Sequence, residues 1–150
     1  MVRLQLPAEG GCRCGSVRFR VTSAPSMTLA CHCTGCQRMT ASAFSLTAMI
    51  PEDGFALVSG APVPGGLCAP AAQHWHCPAC YSWTHSSFTP AQGFVNVRAT
   101  AFDDTGWFTP FCETMTAEKL AWVDLPVRHS FPGWPPPERY PDLLAEYAAA

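Results

Sequence analysis

Three cysteines fall within six residues, in the run Cys31-His32-Cys33-Thr34-Gly35-Cys36. Alternate residues of an extended strand share a side, so Cys31 and Cys33 face the same way. Gly35 tolerates positive φ, and a turn there brings Cys36 back toward the first two thiols. Three thiolates converging on one point suit Zn²⁺, with Zn–S bonds of about 2.3 Å. They leave a tetrahedral ion one ligand short, and an open position marks a reacting site. Three thiolates also leave the unit negatively charged, which weakens the ion as a Lewis acid toward water. A thiol substrate is the better match, because zinc accepts soft sulfur and a coordinated thiol is deprotonated outright. The chemistry of this spacing is a thiol adding to, or leaving from, an electrophilic carbon.

Two further cysteine pairs have the spacing of metal knuckles. Cys12 and Cys14 lie in Gly10-Gly11-Cys12-Arg13-Cys14-Gly15, and Cys77 and Cys80 in Cys77-Pro78-Ala79-Cys80. Four thiolates from two pairs make a closed tetrahedral site that ties the beginning of the chain to its middle. Other groupings stay open on spacing alone. Cys31 and Cys33 could join Cys77 and Cys80. The triplet could be a second structural site, closed by Cys68, His74, His76 or Cys112. His32 lies between two ligands, and alternation points it away from them, toward packing or support. Arg38 follows the triplet closely and could hold a substrate carboxylate. Glu113, Asp103 and Asp104 could move protons, but nothing in the sequence brings them to the cysteines.

Composition narrows the classes. The chain has 150 residues, 48% hydrophobic and 13% charged, with a net charge of −2. That composition fits a folded globule of one domain, residues 1–150, and argues against disorder. Lys119 is its one lysine, so the basic patch that meets phosphates is missing and no nucleic-acid partner is expected. No stretch reaches the roughly eighteen apolar residues of a membrane helix, so no membrane partner is expected. The first residues hold no apolar run of signal-peptide length. A cytoplasmic protein with reduced thiols is the expectation, and nine cysteines, an odd number, fit metal binding better than disulfides.

The elements that must position these cysteines read as short strands. Val17, Phe19 and Val21 alternate with Arg18 and Arg20, a half-buried strand. Met27–Cys33 runs as a strand into the triplet, and Gln37–Thr40 can form one helical turn. Ala43–Ile50, Phe55–Ser59, Gln73–His76, Trp83–Phe88 and Phe94–Thr100 read as strands, with Phe108–Met115 and Leu120–Val123 as weaker candidates. Gly60–Ala72 carries prolines and glycines and reads as a loop. Pro132–Pro137 is irregular, and Pro141–Tyr147 has helical spacing with Pro141 suited to a first turn. Short strands with frequent Gly and Pro turns predict a mainly β fold.

The cysteine framework resembles the glutathione-dependent formaldehyde-activating enzyme family, which includes centromere protein V. The matching residues are Gly11-Cys12-Arg13-Cys14-Gly15-Ser16-Val17-Arg18-Phe19, Cys31-His32-Cys33-Thr34-Gly35-Cys36-Gln37-Arg38 and Cys77-Pro78-Ala79-Cys80. Members often carry Gly after the C-x-x-C, where this chain has Tyr81. The resemblance implies a β-tent, Mss4-like fold. It implies a structural zinc on Cys12, Cys14, Cys77 and Cys80, and a catalytic zinc on Cys31, Cys33 and Cys36, two ions per chain. It implies carbon–sulfur lyase chemistry, in which glutathione and formaldehyde combine to S-(hydroxymethyl)glutathione or are released from it. Two other classes fit the same residues: a zinc-stabilised binding module without catalysis, and a thiol redox or metal-handling protein. Metal count and the identity of the triplet's fourth ligand separate the three.

Overall fold

Alternating apolar residues form two sheets in the computed structural model, which describes residues 2–69 and 71–150, with the side chains of 67–69 left outside the description. In chain order the strands are β1 (Ala8–Gly11), β2 (Arg18–Val21), β3 (Met27–Cys31), β4 (Ser45–Pro51), β5 (Phe55–Ser59), β6 (Val63–Ala69), β7 (Ala72–His76), β8 (Trp83–Phe88), β9 (Phe94–Arg98), β10 (Cys112–Thr114) and β11 (His129–Ser130). Two helices join them, α1 (Thr34–Thr40) and α2 (Tyr140–Ala149). The fold is mainly β, as the short alternating segments predict.

The smaller sheet has the order β1-β2-β5, and the larger the order β11-β10-β3-β4-β9-β8-β7-β6. In the larger sheet β10 runs parallel to β3 and to β11, and its other neighbours pair antiparallel. One face of the large sheet packs on the small one. Phe19 and Val21 of β2 meet Ala48 and Ile50 of β4 and Val95 and Val97 of β9, with Phe102 and Trp107. Phe19 is fully buried, which stabilises by about 1.5–3 kcal/mol relative to exposure. The other face carries the residues of opposite parity. At one end Met27, Leu29 and Met49 pack with Phe111, Cys112 and Leu143 of α2. At the other end the same face holds the cysteine triplet.

Several boundaries differ from the sequence expectation. β6 crosses the expected loop Gly60–Ala72 and pairs with β7. It is the last strand of its sheet, and an edge strand tolerates Pro64 because one side of its backbone has no ladder to fill. Gly66 there has φ of 70°, a left-handed backbone that residues with a side chain rarely adopt. Cys68, a candidate fourth ligand, falls on this strand with its side chain outside the described residues. The helical turn after Cys36 is longer than expected and begins at Thr34. Leu120–Val123 forms no strand, and β1 and β11 are additional ones.

His85 of β8 gives this core a pH dependence. Its ring is 5% exposed, 4.8 Å from the Phe55 ring and stacked at 6.1 Å on Trp75. Burial, with the charge of Arg98 adding to it, lowers its pKa from 6.5 to about 4. Between those values the unfolded chain binds a proton that the folded chain refuses, so stability falls as pH drops through that window. At pH 5 the loss is about 2 kcal/mol for this group. Urea unfolding at pH 7 and pH 5 should show His85→Phe losing less stability on acidification than the wild type, by about that amount. An equal loss in both proteins would remove His85 from the account.

Candidate functional site

The triplet sits where β3 hands the chain to α1. Cys31 is the last residue of β3, Cys33 is the N-cap of α1, and Cys36 is in its first turn. Cys33 Sγ accepts the backbone N–H of Cys36 at 3.3 Å, a cap bond that holds the two sulfurs together. Gly35 is therefore helical, and no left-handed turn at Gly35 is used. A helix N-terminus does the folding-back instead, since it brings the cap residue and the third helical residue to one spot. The three Sγ atoms lie within 4.8 Å of one another, with Cys31 buried and the other two half-buried.

Without metal, the three thiols share protons unevenly. A hydrogen bond with Cys36 is the main cause that lowers the Cys31 pKa from 9.0 to about 5. The same bond, followed by burial, raises Cys36, and burial raises Cys33. Hydrogen bonding within the cluster thus favours the thiolate at Cys31 over those at Cys33 and Cys36. Among the described residues no fourth ligand joins the triplet. Cys112 is buried with its thiol 3.8 Å from Met27 Sδ, inside the apolar cluster beneath α2. His74 Nδ1 is engaged with Ser86 Oγ at 2.8 Å, and His76 stacks on Trp83.

The four other cysteines form a separate group. Cys12, Cys14, Cys77 and Cys80 bring all their Sγ atoms within 4.8 Å of one another. Cys12 and Cys14 sulfurs are 3.5 Å apart, and Cys14 and Cys77 sulfurs 3.7 Å. Tetrahedral sulfurs around zinc at about 2.3 Å would stand ~3.8 Å apart, so the donors fit such an ion. Grouping with Cys31 and Cys33 does not occur. The two knuckles are built alike. Cys14 and Cys80 each have a serine hydroxyl, Ser16 and Ser82, 3.2 Å from sulfur. That hydroxyl is the main cause of the lowered pKa of Cys14, and of Cys80, which falls to about 5. Gly15 ends the first knuckle with φ of 80°, and Tyr81 ends the second with φ of 59°. Tyr81 thus stands in a left-handed backbone that glycine adopts more readily. Both clusters can hold a metal ion, and all-thiolate donors are compatible with zinc.

Strand register defines the space in front of the triplet. Cys31 pairs with Thr114 on one side and Ser45 on the other. The next row is Leu29, Thr47 and Arg98, and the row after it Met49, Asn96, Ser86 and His74. Residues paired across strands share a face, so these rows are the floor of one cavity. Its volume is about 640 Å³, and the three cysteines, α1 and Trp83 close its side. That is the size of a small-molecule site.

His32 turns away from this cavity, as alternation predicts. It is fully buried, with Nε2 2.9 Å from Glu113 Oε2, and Lys119 Nζ lies 2.9 Å from the same oxygen. Burial works against ionisation of Glu113, but hydrogen bonds from Lys119, Ser130 and His32 outweigh it and lower its pKa. Gln37 donates to the carbonyls of His32 and Glu118, and Glu118 accepts the Thr34 N–H at 2.7 Å. The 113–118 segment thereby braces the triplet. Glu113 thus stands one residue from the triplet, a proximity invisible in sequence because β10 pairs with β3 across 83 residues (Glu113 with Ala30). Asp103 is instead bonded to Arg18, and Asp104 to Gly106 N–H. Arg38 is exposed on α1 and is not among the cavity-lining residues.

The model of the glutathione-dependent formaldehyde-activating enzyme family matches residues 7–118. The chain belongs to that family. Its matched region spans both cysteine groups and the bracing segment that carries Glu113. Membership supports glutathione-dependent formaldehyde activation at the level of the family, with a glutathione-type thiol as substrate. A solved protein of Rhodobacter sphaeroides superposes with a TM-score of 0.53 at 22% identity, over 63% of this chain and 87% of that one. At that identity the likeness speaks for the fold. No curated protein matches this chain. No helix of the described residues is long and apolar enough to cross a membrane.

Proposed function

We propose that this chain is a zinc-dependent carbon–sulfur lyase acting on an adduct of glutathione, or of another small thiol, with formaldehyde or a related carbonyl. In this reading residues 1–150 are one zinc domain of the cytoplasm with two zinc ions, a structural one on Cys12, Cys14, Cys77 and Cys80 and a reacting one on Cys31, Cys33 and Cys36. The observation that carries it is the convergence of the three thiols on the wall of a cavity of about 640 Å³, with no fourth ligand among the described residues. A zinc ion bound there supplies a fourth position that keeps a substrate sulfur as thiolate.

The chain's own residues set the geometry. The α1 cap fixes Cys33 and Cys36, and the Glu113–His32 bond fixes the backbone between Cys31 and Cys33. Trp83 and Met39 of α1 supply apolar wall to the cavity. In the forming direction the substrate's sulfur pair attacks the carbonyl carbon and the C–S bond forms. The π pair of the carbonyl moves to oxygen, which takes a proton from solvent. In the reverse direction the hydroxyl loses that proton, the C=O bond reforms and the C–S pair returns to sulfur.

Selectivity for sulfur tests this. Zinc-loaded protein should bind glutathione in calorimetry at least about tenfold more tightly than S-methylglutathione, which cannot become a thiolate. Equal affinities would show that binding does not depend on a metal–thiolate bond.

A further inference from the structure

Arg98 closes β9 on the cavity face and is 6% exposed. A buried guanidinium demands acceptors for its five N–H groups. Among the described residues its Nε–H has no partner, and Nη2 makes a long bond of 3.5 Å to the Asn96 carbonyl. The group lies 4.0 Å over the Trp83 ring, which supports a cation without accepting its fork of hydrogen bonds. Acidic side chains around it are committed elsewhere. Among the described residues lining the triplet's cavity the one carboxylate is Glu118, which holds the Thr34 N–H. A second cavity, of about 710 Å³, also meets Arg98, and its carboxylate is Asp103, held by Arg18. Burial lowers the Arg98 pKa only to about 10, so it stays charged at neutral pH.

A buried, charged fork with spare donors, on the wall of a ligand-sized cavity, calls for a planar anion. β4 alone separates β3 from β9, so the Cα atoms of Cys31 and Arg98 are on the order of 10 Å apart. An arginine side chain is long enough to cover much of that distance. We propose that Arg98 is a specificity-determining residue whose guanidinium receives a carboxylate of the thiol substrate, so that the cavity selects acidic thiols over neutral thiols of the same size. This rests on the thiol-binding reading above and adds to it which thiols are accepted. Arg98 also takes the role that sequence spacing suggested for Arg38.

The test uses zinc-loaded protein and two probes of matched length, 3-mercaptopropionate and 3-mercapto-1-propanol, in calorimetry at one pH. Wild type should favour the acid by about tenfold or more. Arg98→Met should bring that ratio to about one, and Arg98→Lys should restore part of it. Equal binding of the two probes by wild type would overturn the assignment, and that comparison needs no variant to fold. Survival of the preference in Arg98→Met would overturn it as well. Equal loss of both thiols in Arg98→Met, with a ratio unchanged, would make Arg98 a counter-charge for the thiolates and overturn the selectivity claim. If neither probe binds wild type, the thiol site itself fails, an outcome distinct from equal binding.

Discussion

Cys77→Ser is expected to leave no folded, soluble protein. Cys77 is fully buried at the turn between β7 and β8, and its cluster partners Cys12 and Cys14 follow β1. An ion on these four sulfurs would join the small sheet to the far side of the large one. A structural zinc contributes apparent binding free energy of roughly 10–16 kcal/mol. A domain of this size has a net stability of only about 5–15 kcal/mol. Removing one sulfur therefore takes away more than the fold has to spare. Circular dichroism melts and zinc counts on the purified variant measure this. A Cys77→Ser protein that melts like the wild type would show that the four-cysteine group is not what holds the sheets together.

Cys36→Ser is expected to behave in the opposite way. All three ligands of its group come from the segment Cys31–Cys36, so losing that ion removes no long-range crosslink. The cap of α1 survives, because the bond runs from the backbone N–H of residue 36 to Cys33 Sγ. Gln37 still ties the helix to the carbonyls of His32 and Glu118. A stability change near 1 kcal/mol, or roughly 2–4 °C in melting temperature, is the expected scale. Glutathione binding should be lost. If Cys36→Ser unfolds the chain as badly as Cys77→Ser, the triplet is a second structural site and a non-catalytic binding module becomes the better reading.

Much of this arrangement is legible in the sequence, and the exceptions have physical reasons. Cysteine spacing marks the three local clusters, because knuckles and helix caps are local geometry, while the pairing of Cys12 and Cys14 with Cys77 and Cys80 is settled only by the fold. Alternation reveals β2, since Phe19 and Val21 are buried while Arg20 between them is exposed. β6 is hidden because Pro64, Gly65 and Gly66 carry the composition of a loop, and only its place at the sheet edge permits a strand. Arg98 is hidden for a different reason. In Phe94-Val95-Asn96-Val97-Arg98 the polar residues read as the solvent side of a half-buried strand. They instead face the cavity in front of the triplet, because β9 lies inside an eight-stranded sheet and residues of α1 and α2 line the same cavity. Glu113 is hidden in the same way. Its role depends on the parallel pairing of β10 with β3, a contact between distant segments that no local pattern encodes.

The central claim is that a substrate sulfur completes the coordination of an ion held by Cys31, Cys33 and Cys36. Zinc-edge X-ray absorption tests it most directly, on Cys36→Ser and wild-type protein, each with and without glutathione. In the wild type, glutathione should replace a light-atom ligand by sulfur at about 2.3 Å, leaving only sulfur around both ions. In Cys36→Ser the spectrum should not respond to glutathione. A wild-type spectrum that is already all sulfur without glutathione, and unchanged by it, would contradict the claim.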